Sequence, residues 1–406
     1  MCIANRFLQS LCVSSLLLCG EVLAADKPNV DLLLAQLTDE STDVREDAAE
    51  ALADIADPRI AAVLRSRVAV EKDFHARLAM HYALASQGEK KSLQPLIDAL
   101  YTTGHMGANY LGFVTGEEYR WDIGSWQHWY DKTSEKDFRT LAARRLERKP
   151  MMDEWSRFAN LYSASFFDDL LEPGEIDDRM TDVERKELVE LPTAKAWGEF
   201  SVALTELQQN GNRKEAARRF RRVATEFPNT YYADDSRELA DLLDKMVVED
   251  EKYHAPAKLA DLSVDGQIAH HVHQLRDVVA EQWSQPGYCH VLNNLHQLLD
   301  RAEDRPVADA AQSLHAIGKP AVPALIELLD DRRPIRGVGY WRNFHPSRTV
   351  LRYQDAAIQL LEAILEQELY DRRTTSSYFS TEKPDRRAEI AEAIRAAHRV
   401  KRSGRH

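Results

Sequence analysis

The densest group of side chains with binding chemistry lies between Asp331 and Arg352. Six arginines occur in this stretch with aromatic and imidazole rings between them, and acidic residues are found only at its beginning. A guanidinium group binds carboxylate or phosphate through two parallel hydrogen bonds and also stacks on aromatic rings. On a chain with a formal net charge of −13, this stretch predicts a site for an anion or an acidic partner surface. The candidate residues are Arg332, Arg333, Arg336, Arg342, Arg348, Arg352, Tyr340, Trp341 and His345.

An internal role is the alternative for these arginines. The segment Asp234–Asp250 is rich in carboxylates, and ion pairs with it would hold the arginine-rich insertion against a helix. An arginine engaged in this way by its own chain is not available to a ligand. The sequence does not decide between the two roles.

A second candidate surface lies between Tyr101 and Tyr130, where glycines interrupt the helical pattern and aromatic residues are frequent. One interpretation is an aromatic cap over the end of the first helical array, because a repeat array needs a covered end. The other is a stacking platform for a sugar, which would make the protein a cell-wall or carbohydrate binder. Exposure of the indole rings distinguishes the two. The candidate residues are Trp121, Trp126 and Trp129.

Motifs of common enzyme classes do not occur in the sequence. There is no Gly-x-Ser-x-Gly elbow, phosphate-binding loop, dinucleotide fingerprint or His-Glu-x-x-His helix. Ser380 and Lys383 match Ser-x-x-Lys by spacing, but they stand in a turn before Pro384 and lack the partner motifs. Cys289 is interpreted as a buried structural cysteine, because the adjacent His290 points away from it. We therefore predict no catalytic residues and a non-enzymatic protein.

Metal binding was considered for a group of histidines. His270, His273 and Asp277 are spaced to share one helical face. Cys289 or His296 would complete a set of four zinc ligands. This spacing is not one of the common zinc patterns, so we predict that the histidines serve solvation or packing, with no metal and no cofactor.

The N-terminus predicts export. One charged residue, Arg6, precedes a mostly apolar run, and Val22-Leu23-Ala24 resembles a cleavage site, which together are typical of a signal peptide. A lipoprotein signal with Cys19 as the acceptor and an uncleaved N-terminal helix are the alternatives. Cleavage after Ala24 removes one positive and one negative residue, so the net charge stays −13. The expected location is periplasmic or secreted, and the acidic charge argues against a nucleic-acid partner.

Helical spacing of apolar residues recurs along the chain. The segment Asp39–Pro58 has N-cap residue types at its start, an apolar face inside and a proline at its end. Shifted by about 32 positions, Arg45 falls on Arg77 and Leu52 on Leu84, with alanines at corresponding positions between them. Helix pairs with a period in the low thirties indicate an all-α solenoid.

These residues resemble HEAT-like repeats of the type named after phycobilisome lyases. The resemblance rests on Asp39, Val44-Arg45 and the Ala-Leu seam that follows them, and it returns at Ala310–Asp330 with a break at Gly318. It covers residues 30–100 and 305–366 and implies repeats that serve as binding surfaces. It also implies that arginines such as Arg45 bond neighbouring repeats together. The family name makes a bilin lyase-like enzyme a further, unfavoured alternative.

The middle of the chain resembles a tetratricopeptide repeat of the exported bacterial type. Glu215-Ala216, Phe220 and Phe227-Pro228-Asn229-Thr230 carry this likeness, and both repeat types are antiparallel helix pairs. We therefore predict HEAT-like blocks on either side of a TPR-like segment. The predicted divisions are a signal peptide (1–24), HEAT-like repeats with an aromatic cap (29–132), a helical connector (133–192), the TPR-like repeat (193–252) and C-terminal HEAT-like repeats with the arginine insertion (255–400).

The predicted function is a scaffold or adaptor whose surface binds a protein or peptide partner in the cell envelope. After the signal segment no run approaches 18 consecutive apolar residues, so no membrane span is expected in the mature chain. The sequence leaves the partner and the oligomeric state open.

Overall fold

The computed structural model describes residues 29–103, 105–117, 123–170, 180–282, 284–285, 287–292, 309–340, 342–372 and 378–403. The described chain is mainly α-helical with little sheet, which confirms the predicted all-α, solenoid-type fold class. Its contacts divide it into two compact units, residues 1–147 and 148–406. The predicted signal peptide lies outside the described residues.

The first unit is an array of antiparallel helix pairs. Helix α2 packs on α1 and α4, α4 also packs on α3 and α5, and α6–α8 complete the unit. Alanines and leucines at the helix contacts form one continuous buried core. The helices are α1 (Val30–Gln36), α2 (Thr42–Ala53), α3 (Pro58–Val68), α4 (Phe74–Ser86), α5 (Leu93–Thr103), α6 (His105–Thr115), α7 (Ile123–Lys132) and α8 (Glu135–Ala143).

Local sequence explains where α2 ends and α3 begins. Ser41 is the N-cap of α2, although its side chain makes no capping hydrogen bond. Pro58 occupies the first turn of α3, where its missing N–H costs nothing. The Asp57 carboxylate caps α3 by accepting from the Arg59 N–H at 2.9 Å. Helix α2 already ends at Ala53, before Pro58, so the proline begins α3 and does not itself end α2.

A buried ion pair joins α2 to the turn before α4. Arg45 donates through Nε and Nη2 to the two carboxylate oxygens of Glu71 at 2.8 and 3.0 Å, and through Nη1 to the Asp39 carbonyl at 2.9 Å. The Glu71 side chain is 3% exposed and that of Arg45 is 14% exposed. Arg77 donates to the Glu71 carbonyl at 3.4 Å. Both repeat-related arginines thus converge on one inter-helix turn.

The second unit combines further helix pairs with a small sheet. Helix α9 (Arg145–Leu170) begins in the last residues of the first unit and continues into this one. The other helices are α10 (Asp182–Glu190), α11 (Pro192–Gln208), α12 (Arg213–Glu226), α13 (Ala233–Lys252), α14 (Val264–Gln274), α15 (Ala310–Ile317), α16 (Val322–Glu327), α17 (Tyr353–Leu365) and α18 (Pro384–Ser403). Helices α11, α12 and α13 pack in sequence as neighbours, but this packing does not identify the segment as TPR-like, which stays a prediction. Gly318, with φ of 71°, ends α15 at the predicted break.

A four-stranded sheet, which the sequence did not predict, crosses the second unit. Its strands are β1 (Val279–Gln282), β2 (Cys289–His290), β3 (Pro334–Gly339) and β4 (Thr349–Arg352), in the order β2-β1-β3-β4. Strands β1 and β3 pair in parallel, and the other two pairs are antiparallel. The region around β1 and β2 was expected to be helical, and that expectation is wrong. A proline and two glycines in β3 make its sequence look like that of a loop. Gly337 nevertheless allows β3 to approach β1 closely, because a Cβ at this position would lie 2.8 Å from the Ala280 Cβ.

The Arg45–Glu71 pair gives a testable prediction about the first unit. The hydrogen bond from Arg45 lowers the pKa of Glu71 below its ordinary value of 4.5. The pair therefore stabilises the fold fully above that value, and this contribution is lost as the pH falls through the lowered pKa. Glu71→Gln should reduce the free energy of unfolding at pH 7 by about 2–3 kcal/mol and weaken its dependence on pH below about 5, as measured by denaturant titration.

Asp31→Asn is the matched control, since Asp31 pairs with Arg59 on an exposed surface. We expect it to change stability little. Equal losses in the two variants would contradict a special role for the buried pair.

Candidate binding cleft

One face of α13 holds most of the arginine-rich insertion in place. Asp235, Glu238 and Glu249 are spaced by three and eleven residues, which places them on the same side of the helix. Together with Asp250, this face contacts five arginines. We call this set of contacts the α13 seam. Its arginines are Arg213, Arg276, Arg332, Arg333 and Arg352.

The contacts of the α13 seam are close and partly shielded from solvent. Arg332 chelates the Glu238 carboxylate, with Nη2 at 2.6 Å from Oε2, and this hydrogen bond raises the pKa of Arg332. Arg333 lies 2.8 Å from Glu249. The Arg352 side chain is 4% exposed and lies 3.0 Å from Asp235. These three candidate residues therefore have the internal role. Carboxylates of the same chain already bind their guanidinium groups.

Arg336 is also used within the fold. Its Nε and Nη2 donate to the carbonyls of Gln208 and Gln209 at 2.9 and 2.7 Å. These carbonyls belong to the C-terminus of α11, where helical acceptors lack partners and a cation is favourable. Arg342 is half-buried, and its carbonyl accepts from the His345 N–H at 3.1 Å.

The tryptophan candidates do not form an open stacking surface. Trp126 is 0% exposed and Trp129 is 8% exposed, and both rings pack edge-on in the core of the first unit, where Trp129 also meets Phe138. The Trp129 Nε1 donates to Glu117 at 3.1 Å. A sugar cannot stack on a ring whose faces are covered, so the carbohydrate-binding interpretation of these two residues is wrong. Trp121 and Trp341 lie outside the described residues.

An open cleft of about 770 Å³ lies in the second unit beside Arg348. Helix α11 forms one wall with side chains spaced by three, four or seven residues, and the ends of the short strands form the other. Helix α9 adds one tyrosine. The lining residues are Tyr162, Trp197, Ser201, Leu204, Thr205, Gln208, Gln282, Val338, Tyr340 and Arg348.

Hydrogen bonds fix the loop that carries the cleft's polar groups. The Gln282 side chain accepts from the Tyr340 N–H at 3.0 Å and donates to the Tyr340 carbonyl at 2.6 Å. The Tyr232 hydroxyl donates to the Pro346 carbonyl at 3.1 Å. The His345 ring is bonded to the Ser347 hydroxyl at 2.7 Å. These hydrogen bonds fix the loop near both of its ends. They thereby fix the backbone that carries Tyr340 and Arg348.

Arg348 differs from the arginines of the α13 seam because its neighbours are rings and carbonyls. Its Nη1 donates to the carbonyls of His345 and Ser347 at 2.5 and 2.8 Å. The guanidinium carbon lies 5.3 Å from the Trp197 ring centre and 4.9 Å from that of Tyr340. No carboxylate of the described chain forms an ion pair with it. Burial lowers the pKa of Arg348, but an arginine stays protonated at neutral pH.

Ser201 is a lining residue of the cleft whose hydroxyl has no hydrogen-bond partner in the described chain. Its Oγ is buried in the wall of the cleft and forms no hydrogen bond within the described part of the chain. Buried polar atoms are usually paired, so the Ser201 hydroxyl is a hydrogen-bonding group that the fold itself leaves unused.

The sequence identified part of this cleft. Tyr340 and Arg348 were candidates, whereas the other lining residues, Trp197 and Ser201 among them, were not singled out. Trp197 and Ser201 are four residues apart on α11. This spacing places the aromatic ring and the hydroxyl on the same face of the helix.

The histidines considered for zinc have other contacts. His270 shares a hydrogen bond of 2.6 Å with the Tyr253 hydroxyl, and His273 stacks on the same tyrosine ring. Asp277 pairs with Arg213, and Cys289 is 0% exposed. Within the described ranges no three His, Cys, Asp or Glu side chains are arranged to hold a metal ion. His296 lies outside these ranges.

Comparison with known families agrees with the repeat architecture. A family described as HEAT repeats matches residues 30–105, and the PBS lyase HEAT-like repeat matches residues 307–331. The protein contains HEAT-like repeats. No characterised protein matches the chain. No described helix is both long and apolar enough to cross a membrane.

The α13 seam predicts that arginines of similar appearance differ in their effect on stability. Arg352→Met should lower the free energy of unfolding by about 2 kcal/mol, less than the roughly 3–5 kcal/mol of a fully buried pair, because its carboxylate partners are partly hydrated. Chemical denaturation followed by circular dichroism measures the change.

Arg237→Met is the control on the same helix, since Arg237 and Asp234 form an exposed pair. Its stability should stay close to that of the unchanged protein. An equally large loss would show that the insertion does not depend on the buried face of α13.

Proposed function

We propose that this protein is a non-enzymatic, exported scaffold that binds a protein or peptide partner in the cell envelope. HEAT-like repeats commonly mediate protein interactions, because stacked helix pairs present extended surfaces. Two segments of the chain carry such repeats. The sequence also lacks the motifs of the common catalytic sets considered above.

The cleft beside Arg348 is the observation that carries this proposal. Its volume of about 770 Å³ lies within the range of roughly 300–1,000 Å³ that is typical of ligand clefts, and it is open to solvent. A short peptide segment or a few side chains of a partner fit that space. Arg348, which lines the cleft and uses only its Nη1 within the described chain, has donors to offer such a segment.

The word lyase in the description of the second family belongs to that family. It matches only residues 307–331 of this chain, a segment that forms α15, α16 and the turns around them. These elements contribute no lining residue to the cleft. We therefore favour the scaffold over a bilin lyase-like enzyme.

Export is the part of the proposal that the signal-like N-terminus supports. When the full chain is expressed with its own N-terminus in a bacterial host, we expect the mature protein outside the cytoplasm, with its sequence beginning near Ala25. Edman or mass-spectrometric analysis of the N-terminus gives the result. Intact Met1 on protein in the cytoplasmic fraction would contradict export.

Partner binding is tested with the mature full-length chain. Crosslinking in the envelope fraction should yield one defined complex at a fixed stoichiometry, and added untagged protein should compete for it. Arg218→Gln, a change on the exposed face of α12, should leave the complex unchanged. A chain that remains an uncrosslinked monomer under all conditions would refute the scaffold.

A further inference from the structure

We propose that the cleft beside Arg348 binds a peptide carboxylate that has an aromatic or aliphatic side chain next to it. This inference rests on the proposed function, since it specifies the partner group that the scaffold would recognise. The shared chemistry is a carboxylate, which comes either from a peptide C-terminus or from an aspartate or glutamate side chain.

The donors on Arg348 favour a bidentate acceptor. Nη1 is engaged by two carbonyls of its own loop, so the loop fixes the plane of the guanidinium. Nε and Nη2 donate to no acceptor in the described chain, and these two atoms are the pair that forms parallel hydrogen bonds with a carboxylate. Because the guanidinium is already oriented, ligand binding costs little of the conformational entropy that is lost when a free arginine side chain becomes ordered.

The charge of the cleft fits a singly charged anion. Among the described lining residues Arg348 is the only one with a charge, and the protein as a whole is acidic. One guanidinium neutralises one carboxylate, whereas a phosphate monoester with about two charges would be left partly uncompensated. A phosphorylated or phospholipid ligand is therefore disfavoured.

The remaining walls select what stands beside the carboxylate. The rings of Trp197 and Tyr340 both lie near the guanidinium, and Leu204 and Val338 extend the apolar surface. A planar or branched side chain would bury its area against these groups. Ser201 belongs to the same wall of the cleft, and its hydroxyl is unpaired and shielded from solvent.

The probes are three N-acetylated peptides that differ in where the carboxylate stands. Acetyl-Leu-Phe is used as the free acid and as the C-terminal amide, and acetyl-Glu-Phe-amide carries an internal carboxylate. Binding to the mature full-length protein is measured by calorimetry and by ligand-observed NMR. We expect the free acid or the internal acid to bind at least about tenfold more tightly than acetyl-Leu-Phe-amide, as for a charge-assisted bidentate pair.

Two variants locate the binding in this cleft. Arg348→Gln should abolish the advantage of the acids over the amide, and Arg218→Gln should preserve it. If Arg348→Gln does not fold, as judged by circular dichroism, Ser201→Leu narrows the cleft from the α11 wall while retaining the arginine and should weaken all three peptides. Acids that bind no better than the amide, an acid preference that persists in folded Arg348→Gln, or undiminished binding of all three peptides to Ser201→Leu would overturn the proposal.

The outcomes separate this inference from the scaffold itself. If the envelope complex forms equally well with Arg348→Gln and the peptides show no acid preference, the scaffold stands and the carboxylate site is refuted. If the acids bind through Arg348 but no complex is found, the carboxylate site stands and the scaffold is refuted.

Discussion

The arrangement of the second unit depends on how the carboxylates of α13 neutralise nearby arginines. Burying a guanidinium is costly unless an acidic group or several carbonyls replace its water. Arg352 and Arg276 are almost completely buried, and both are paired with α13. The helix therefore fixes β3, β4 and the turn after α14 at once, while apolar side chains of the strands, such as Ile335 and Leu351, pack into the core of the unit. An arginine that these carboxylates do not reach keeps a charge that no acidic group of α13 neutralises.

Arg348 is an arginine of the insertion that the carboxylates of α13 do not neutralise. It belongs to the same insertion as Arg332 and Arg352, but it points to the α11 side, where rings and backbone carbonyls surround it. The rings stabilise its charge weakly compared with a carboxylate. The chain thus uses several arginines to hold the insertion and positions one in a cleft, next to the unpaired hydroxyl of Ser201. The same residue type has two roles because the distance to α13 differs.

The first unit relies on a different use of charge. There the two repeat-related arginines, Arg45 and Arg77, meet at the turn containing Glu71, while the helix contacts themselves are made by alanines and leucines. Trp126 and Trp129 extend this core instead of facing solvent. The ion pair fixes the position of one helix pair relative to the next, and the apolar seam supplies most of the buried area.

The sequence by itself determined the helical repeats, because their period, caps and breaks are local properties of residues a few positions apart. Pro58, Gly318 and the alanine seam are recognisable without any knowledge of distant contacts. Only the tertiary structure decided the sheet, since β1 and β3 pair residues as far apart as Val279 and Arg336. It also decided which arginines are occupied. Arg332 and Arg348 look alike in the sequence, and what distinguishes them is a carboxylate 94 residues from Arg332 that reaches one guanidinium and not the other.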